Sequence, residues 1–209
     1  MQDANSQQLC PSSEESQKDQ PTMAAEDSEQ RELTKAQLLL KRLLAAHETW
    51  YDVTRGYTLA GRTFPGLAAY HEYGEQYVLV KRAKLWAVGQ HEYIFFDIVD
   101  RLEEEAFQDT VQFLKTEALK LVDPVPDHMS TNISMVLIAE SISDEAAKVL
   151  RKTSFRKNYM FGIRGWSDLC LVGVDLSAEP RKQVISNAAG KKLAKTVAAN
   201  LNPAAKRKK

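Results

Sequence analysis

Tyr159-Met-Phe-Gly-Ile-Arg-Gly-Trp-Ser-Asp-Leu-Cys-Leu-Val-Gly-Val-Asp-Leu176 contains two apolar runs that are separated by Gly165-Trp-Ser-Asp168. Runs of this length and composition are typical of β-strands, and the Gly and Asp between them favour the tight turn of a hairpin. We therefore predict an antiparallel hairpin with strands at residues 159–164 and 169–175, in the middle of a sheet.

Further runs of β-forming residues precede this segment. Residues 67–73, 77–88 and 92–99 are rich in Val, Ile, Tyr, Phe and Trp, and short breaks separate them. This pattern predicts a three-stranded antiparallel meander, with residues 56–65 as a loop before it. Residues 132–139 form one continuous apolar run, which is typical of a strand that is covered on both faces.

Helical patterns surround these strands. Residues 32–50 place Leu33, Ala36, Leu40, Leu43, Ala46 and Trp50 on one helical face. Further helices are expected after the capping-box spacing of Asp100 and Glu103, at residues 143–151, and after a cap at Asn187. We predict an α+β fold in which a largely antiparallel sheet, a three-stranded meander plus further strands, packs with four or so helices.

The ends of the chain differ from its middle. Residues 1–32 contain eight acidic and two basic side chains, and residues 181–209 contain nine basic and no acidic ones, although the net charge of all 209 residues is zero. The N-terminal stretch also lacks bulky apolar residues. We predict a disordered acidic leader at 1–30, a single α+β domain at 31–201 and a basic tail at 202–209.

The cysteine usage and the hydropathy favour a cytoplasmic protein. Cys10 lies in the polar leader and Cys170 lies in an apolar strand, so that a structural disulfide between them is not expected. No run approaches the ~20 apolar residues of a membrane span, and the N-terminal residues lack the basic region and apolar core of a secretory signal. We therefore expect no membrane partner.

Several established chemistries have no motif in this sequence. The phosphate-binding patterns GxGxxG and GxxxxGK[ST] and the nucleophile elbow GxSxG do not occur. Cys170 has apolar neighbours, which predicts a buried core residue and not a nucleophile. We expect no cofactor, and no residue is predicted to be catalytic.

Three of the four histidines precede a glutamate, but HExxH is absent and no metal site is predicted. A site assembled from His71 and His91 across neighbouring strands stays open, because it depends on the strand register. The alternative function that follows from it is a hydrolase built from His71, Glu72, His91 and Asp97.

The order of the central elements resembles the restriction-endonuclease-like core. Enzymes of that type hold a divalent ion with an Asp and a [DE]xK pair on adjacent strands. No Asp or Glu of this sequence is followed two residues later by Lys. The resemblance therefore implies an inactive relative, as a further alternative.

One segment has a distinctive charge pattern. Between Glu145 and Asp168 there is no acid, whereas basic and aromatic residues alternate. Basic groups can neutralise phosphates and aromatic rings can stack on bases. The candidate binding residues are Lys152, Arg156, Lys157, Tyr159, Arg164 and Trp166.

Two other interpretations of this segment stay open. It can be a helix end followed by a strand with core aromatics, or it can bind the acidic leader of the same chain. We favour a non-catalytic binding or accessory domain for an acidic partner, nucleic acid among the candidates. Its oligomeric state is not predicted.

Five stretches of the sequence resemble a family of uncharacterised bacterial proteins, a domain of unknown function. These stretches are residues 77–86, 91–96, 164–166, 174–176 and 187–191, and the resemblance covers roughly residues 40 to 200. It implies a cytoplasmic bacterial domain with no assigned activity, and therefore no catalytic residues.

Overall fold

A computed structural model describes residues 33–77, 84–126 and 128–201; for strand residues 72–77 and 84–89 it describes the backbone alone. The predicted acidic leader and basic tail lie outside the described residues. In chain order, the helices and strands are α1 (Lys35–His47), β1 (Asp52–Leu59), β2 (Arg62–Tyr77), β3 (Lys84–Leu102), α2 (Glu104–Thr116), β4 (His128–Ile142), α3 (Asp144–Lys152), β5 (Arg156–Asn158), β6 (Trp166–Asp175), β7 (Val184–Ser186) and α4 (Lys191–Leu201). Two short 3-10 helices lie at Ala118–Leu121 and Met160–Gly162.

The seven strands form one mixed sheet in the order β1-β2-β3-β4-β6-β5, with β7 also paired to β6. Four of the strand pairs are antiparallel, whereas β4 runs parallel to both β3 and β6. Strands β1, β2 and β3 form an antiparallel meander. The predicted α+β class with a largely antiparallel sheet is therefore confirmed.

Helices cover the sheet on both faces. Side chains of α1 and α4 pack on one face, where Ile94, Val136 and Val172 are buried. Side chains of α2 and α3 pack on the other face, against Phe95 and Met135 among others. Successive strand residues point to opposite faces, so β4, which lies between two parallel neighbours, needs an almost continuous apolar run. The predicted two-sided burial of residues 132–139 is confirmed for most of that run.

The prediction for residues 159–164 was wrong. The hairpin partner of β6 is β5, and its connection contains the 3-10 helix Met160–Gly162. Met160, Phe161 and Gly162 have φ of 45°, 56° and 90°, in the left-handed region that a strand does not use. Met160, Phe161 and Ile163 of this run are therefore exposed, whereas Tyr159 at its start is buried.

Residues 56–65, predicted as a loop, belong to the hairpin of β1 and β2. Leu59 pairs with Arg62, and the two residues between them, Ala60 and Gly61, have φ of 46° and 81°. Positive φ at both central positions is the two-residue turn that matches strand twist. The predicted middle strand at residues 77–88 was also wrong, because β2 ends at Tyr77, β3 begins at Lys84, and these two strands pair with each other.

The helix ends differ in part from the sequence patterns. Asp100 belongs to β3, and α2 begins after Glu103 without a side-chain cap, so the predicted capping box was wrong. Asn187 is also not the N-cap of α4, because α4 begins four residues later, at Lys191. Its buried side chain accepts from the amide of Gly190 in the turn before the helix. α1 ends at His47, which leaves Trp50 exposed.

Among the described helices, none has the length and apolar character that a membrane span requires.

Candidate functional site

The predicted binding residues lie around the edge strand β5, on both faces of the sheet. Arg156 and Trp166 lie on the face that α1 and α4 cover, because they share that face with Asp168. Arg156 donates from Nε and Nη2 to the two carboxylate oxygens of Asp168, at 2.7 and 2.6 Å. Its guanidinium also lies 5.1 Å from the centre of the Trp166 ring. The charge of Arg156 is therefore already compensated.

Lys157 and Tyr159 lie on the opposite face. The Lys157 ammonium is 5.3 Å from the centre of the Tyr159 ring. Tyr159 is itself buried, and its hydroxyl lies 3.0 Å from Oγ of Ser167. Its ring therefore belongs to the core, as one of the open interpretations held, whereas Lys157 is exposed.

Lys152 and Arg164 have different surroundings. Lys152 is the exposed last residue of α3. Arg164 donates to the carbonyl oxygen of Pro124 at 3.3 Å, and its own carbonyl lies 2.7 Å from Nδ1 of His128. Arg164 thus holds the 159–165 connection against the segment that leads into β4.

The 159–165 connection presents large apolar side chains to solvent. Met160 and Ile163 are 57% and 79% exposed, and Phe161 is fully exposed. Lys148, Arg151 and Lys152 are exposed at spacings of three and four residues, so that they share one side of α3. We name Lys148, Arg151, Lys152, Lys157 and Phe161 the basic edge surface.

The register brings His71 and His91 directly opposite each other on β2 and β3. Their Nδ1 atoms are 3.1 Å apart, so one ring donates and the other accepts. Burial, followed by the nearby His71 and His128, lowers the pKa of His91. Within the described residues, no group of three or more His, Cys, Asp or Glu side chains is arranged to hold a metal ion.

The residues proposed for a hydrolase do not gather at this histidine pair. Asp97 lies six residues beyond His91 on β3, which is roughly 20 Å at about 3.3 Å per residue. It is paired there with Arg62, at 2.9 Å. The side chain of Glu72 lies outside the described residues. His71 and His91 therefore meet without Asp97.

A second group of polar residues was missed in the sequence. Glu92, Asn132 and Asp168 are register partners on β3, β4 and β6, so they form a row across three parallel strands. All three line the polar cleft, which we define as the depression between this row, the end of α1 and the start of α4. It consists of two adjoining parts of about 200 and 370 Å³, which share Tyr51, Glu92, Asn132 and Lys192.

Glu92 is held in a fixed position inside the cleft. Tyr51 donates its hydroxyl to Oε2 at 2.8 Å, and Ser134 donates to Oε1 at 2.9 Å. Burial and then the Glu92 carboxylate raise the pKa of Tyr51, which therefore remains a hydrogen-bond donor at neutral pH. Each carboxylate oxygen keeps acceptor capacity after one such bond.

The remaining walls of the cleft combine aromatic and polar groups. Trp50, which is 75% exposed, lies beside Tyr51 and Tyr70. Asn132 makes no side-chain hydrogen bond within the described residues, and no buried polar atom there lacks a partner. Its amide therefore faces the open space of the cleft. Lys192, in the first turn of α4, contributes a cation.

Cys170 lies at the floor of the cleft and is inert. It is a free, buried cysteine, as the sequence predicted. Burial raises the pKa of its thiol to about 11. The thiolate, which is the reactive form, is therefore rare at neutral pH.

Comparison with known proteins identifies a family for this fold and cleft. The family described as Domain of unknown function (DUF8052) matches residues 35–199. The chain belongs to this family. The DUF8052 match runs from the first residue of α1 into α4, so it includes the whole sheet, the polar cleft and the basic edge surface. The predicted resemblance to an uncharacterised domain family is thereby confirmed.

No curated protein and no solved structure matches the DUF8052 chain significantly. The resemblance of its element order to the restriction-endonuclease-like core therefore stays a prediction.

Proposed function

We propose that this protein is a non-catalytic domain that binds single-stranded nucleic acid along the basic edge surface. The observation that carries the proposal is the fully exposed Phe161 four residues after the exposed Lys157, in a segment that contains no acid from residue 146 to residue 167. Such a surface combines the two contacts that an unpaired strand offers, which are its phosphates and the faces of its bases.

The charges support a polyanionic partner. Within the described residues, Lys148, Arg151, Lys152 and Lys157 make no ion pair with an acid. Four like charges in one region raise the local concentration of an anion and speed its association. If about three to four phosphates are contacted, the logarithmic salt slope for a single strand is about −2 to −3.

The backbone of the 159–165 connection supports a role for Phe161. Left-handed φ costs roughly 1–2 kcal/mol for a non-glycine residue, and both Met160 and Phe161 adopt it. Hydrogen bonds from the Tyr159 amide to the Gly165 carbonyl and from the Arg164 amide to the Tyr159 carbonyl keep the connection closed. The fold thus holds an apolar ring in solvent at an energetic cost, which is typical of a binding contact.

A stacked base explains this ring better than an acidic protein surface does, because every base has an apolar face. The non-catalytic part of the proposal is supported by Ile94, which lies two residues after Glu92 on the same face and is buried. The [DE]xK chemistry would need a lysine there. A bacterial and cytoplasmic setting belongs to the same proposal.

Fluorescence anisotropy with the full chain and a labelled dT12 strand tests this function. From 50 to 200 mM salt we expect the affinity to fall roughly 15- to 60-fold, as a slope of −2 to −3 requires. The double substitution K152E/K157E should reduce the slope by about 1.4 and weaken binding. Lys41, which is exposed on α1, provides the matched control K41E.

Phe161→Ala should weaken binding roughly five- to 150-fold, because stacking of one base contributes about 1–3 kcal/mol. Leu33→Ala changes another exposed apolar side chain and should have no effect. Equal binding of wild type and K152E/K157E, or no binding of dT12 at 50 mM salt, would refute the proposal. Preference for an acidic peptide over dT12 would assign the surface to a protein partner.

A further inference from the structure

The polar cleft and the basic edge surface are connected through the edge strand β5, whose Arg156 side chain lies on the cleft face and whose Lys157 side chain lies on the opposite face. Asp168 lines the cleft, and its carboxylate binds Arg156 of β5, which is the edge strand itself. Arg156 in turn stacks on Trp166. β5 is three strands from β3, about 14 Å at about 4.8 Å per strand, so a strand that contacts Lys157 must pass around β5 to bring a base to Glu92.

The cleft has a hydrogen-bonding pattern that restricts its occupant. The Glu92 carboxylate only accepts hydrogen bonds, and two donors already fix its position. The Asn132 amide, which faces the same space from the neighbouring strand, can donate. Neighbouring strands are about 4.8 Å apart, which is comparable to the length of the hydrogen-bonding edge of a nucleobase.

The charges of the cleft exclude some ligands. Arg156 compensates Asp168, whereas within the described residues no cation is paired with Glu92. A phosphate is therefore disfavoured beside Glu92, and a ligand group with N–H donors is favoured. Lys192 lies at the opposite wall, where it can contact a phosphate that remains outside the row.

We propose that the polar cleft binds a guanine base, unstacked from the single strand that the basic edge surface holds. The Watson–Crick edge of guanine has two adjacent donors, N1–H and N2–H, and one acceptor, O6. The two donors fit the Glu92 carboxylate, and O6 fits the Asn132 amide. Trp50 and Tyr70 provide ring faces for the base.

The other bases fit this pattern less well. Adenine and cytosine each place an acceptor nitrogen beside their amino group, so that it would face the Glu92 carboxylate. Thymine and uracil have a single donor between two acceptors. A good bidentate contact discriminates by about 1–3 kcal/mol against the wrong base, so we expect a preference for guanine of about tenfold. The guanine preference depends on the proposed function in one respect: the single strand bound by the basic edge surface must deliver the base to the cleft.

Single guest bases in a dT12 host test the pocket with the full chain. A central dG should bind about tenfold more tightly than dT, dA or dC, and a central deoxyinosine, which lacks the N2 amino group, should bind about threefold more tightly. Glu92→Gln should abolish this preference, so that a central dG binds no more tightly than dT. Glu104→Gln, an acid outside the cleft at the start of α2, is the matched control.

Asn132→Ala provides a second variant, because it removes the contact to O6 and leaves both hydrogen bonds of Glu92 in place. Asn132→Ala should reduce the dG preference about threefold. This variant still tests the pocket if Glu92→Gln destabilises the fold and lowers its melting temperature. Calorimetry with GMP and AMP, in the absence of any strand, separates the pocket from the edge. GMP should bind more tightly than AMP, and Glu92→Gln should remove the difference.

The outcomes distinguish the two proposals. Tight binding of dT12 with equal affinity for all guest bases overturns the guanine pocket and leaves the basic edge surface standing. GMP binding that depends on Glu92, together with no binding of dT12, overturns the strand and leaves the pocket standing. If neither GMP nor any strand binds, both proposals are wrong.

Discussion

Replacing Gly165 by alanine is expected to destabilise the protein much more than replacing Gly162, although both glycines lie in the same connection. Both have positive φ, +71° at Gly165 and +90° at Gly162. They differ in the space around them. A Cβ at Gly165 would lie 2.0 Å from the carbonyl oxygen of Met129, whereas a Cβ at Gly162 would have nothing within 4 Å.

The magnitude follows from these two differences. Positive φ costs an alanine about 1–2 kcal/mol at either position. At Gly165 the backbone of β4 must also move, and overpacking of a well-packed site costs typically about 1–3 kcal/mol more. We therefore expect the free energy of unfolding to fall by about 1–2 kcal/mol for Gly162→Ala and by about 2–5 kcal/mol for Gly165→Ala.

Urea unfolding followed by circular dichroism measures this difference directly. The two variants must have the same m-value, so that a change in midpoint reports stability alone. Equal losses of stability in both variants would show that the 159–165 connection does not pass against Met129. The placement of Phe161 would then lose its structural basis.

Three further predictions concern two buried side chains and one partly buried side chain. The side chain of Asn187 accepts from the amides of two residues and donates to two carbonyls. In chemical denaturation, Asn187→Ala should therefore lower the free energy of unfolding by about 2–4 kcal/mol. The control Asn158→Ala changes an exposed asparagine and should lower it by less than about 0.5 kcal/mol. In a Cys10→Ser chain the remaining Cys170, with a pKa of about 11, should react with a thiol reagent at pH 8 only on unfolding, and fast labelling of the native protein would contradict its burial. The pKa of His91 is lowered in the folded protein, so below about pH 6.5 the unfolded chain binds more protons than the folded chain does. The free energy of unfolding should therefore fall as the pH drops below about 6.5. In thermal melts, His91→Asn should flatten this pH dependence.

The class of the fold was predictable from sequence, because composition and periodicity are local properties. The apolar run at residues 132–139 and the helix at residues 143–151 needed only their own residues to be recognised. Strand pairing is not local. The parallel pairing of β4 to β3 and β6 depends on which helices cross over. The antiparallel hairpin of residues 159–164 with 169–175 was predicted from two apolar runs on either side of Gly165-Trp-Ser-Asp168, and the positive φ of Met160 and Phe161 could not be read from that pattern.

The cleft residues follow a pattern in the sequence, but the predicted antiparallel pairing of their strands hid its meaning. Asn132 and Asp168 stand directly before a buried run of their strand, and Glu92 stands two residues before one. In an antiparallel sheet such residues alternate between the two edges, so each would be an ordinary strand end. Only parallel pairing of β3, β4 and β6 places these three residues at the same end of the sheet. Tyr51 and Lys192 had no comparable signal, because helix packing alone brings them there.

The position of the cleft distinguishes this sheet from the usual open α/β sheets, in which ligands bind beyond the carboxyl ends of the strands. At that edge Asp175 closes the structure: its side chain accepts from the amides of Ile142, Ser177 and Ala178. Toward the other end of β3, β4 and β6, Glu92, Asn132 and Asp168 instead line the open cleft. Since the 159–165 connection with Phe161 lies at that end too, the exposed apolar ring and the Asn132 amide, which makes no side-chain hydrogen bond within the described residues, lie at the same end of the sheet. A ligand that contacts both Phe161 and the Asn132 amide would explain why apolar contacts within the protein do not cover this end of the sheet.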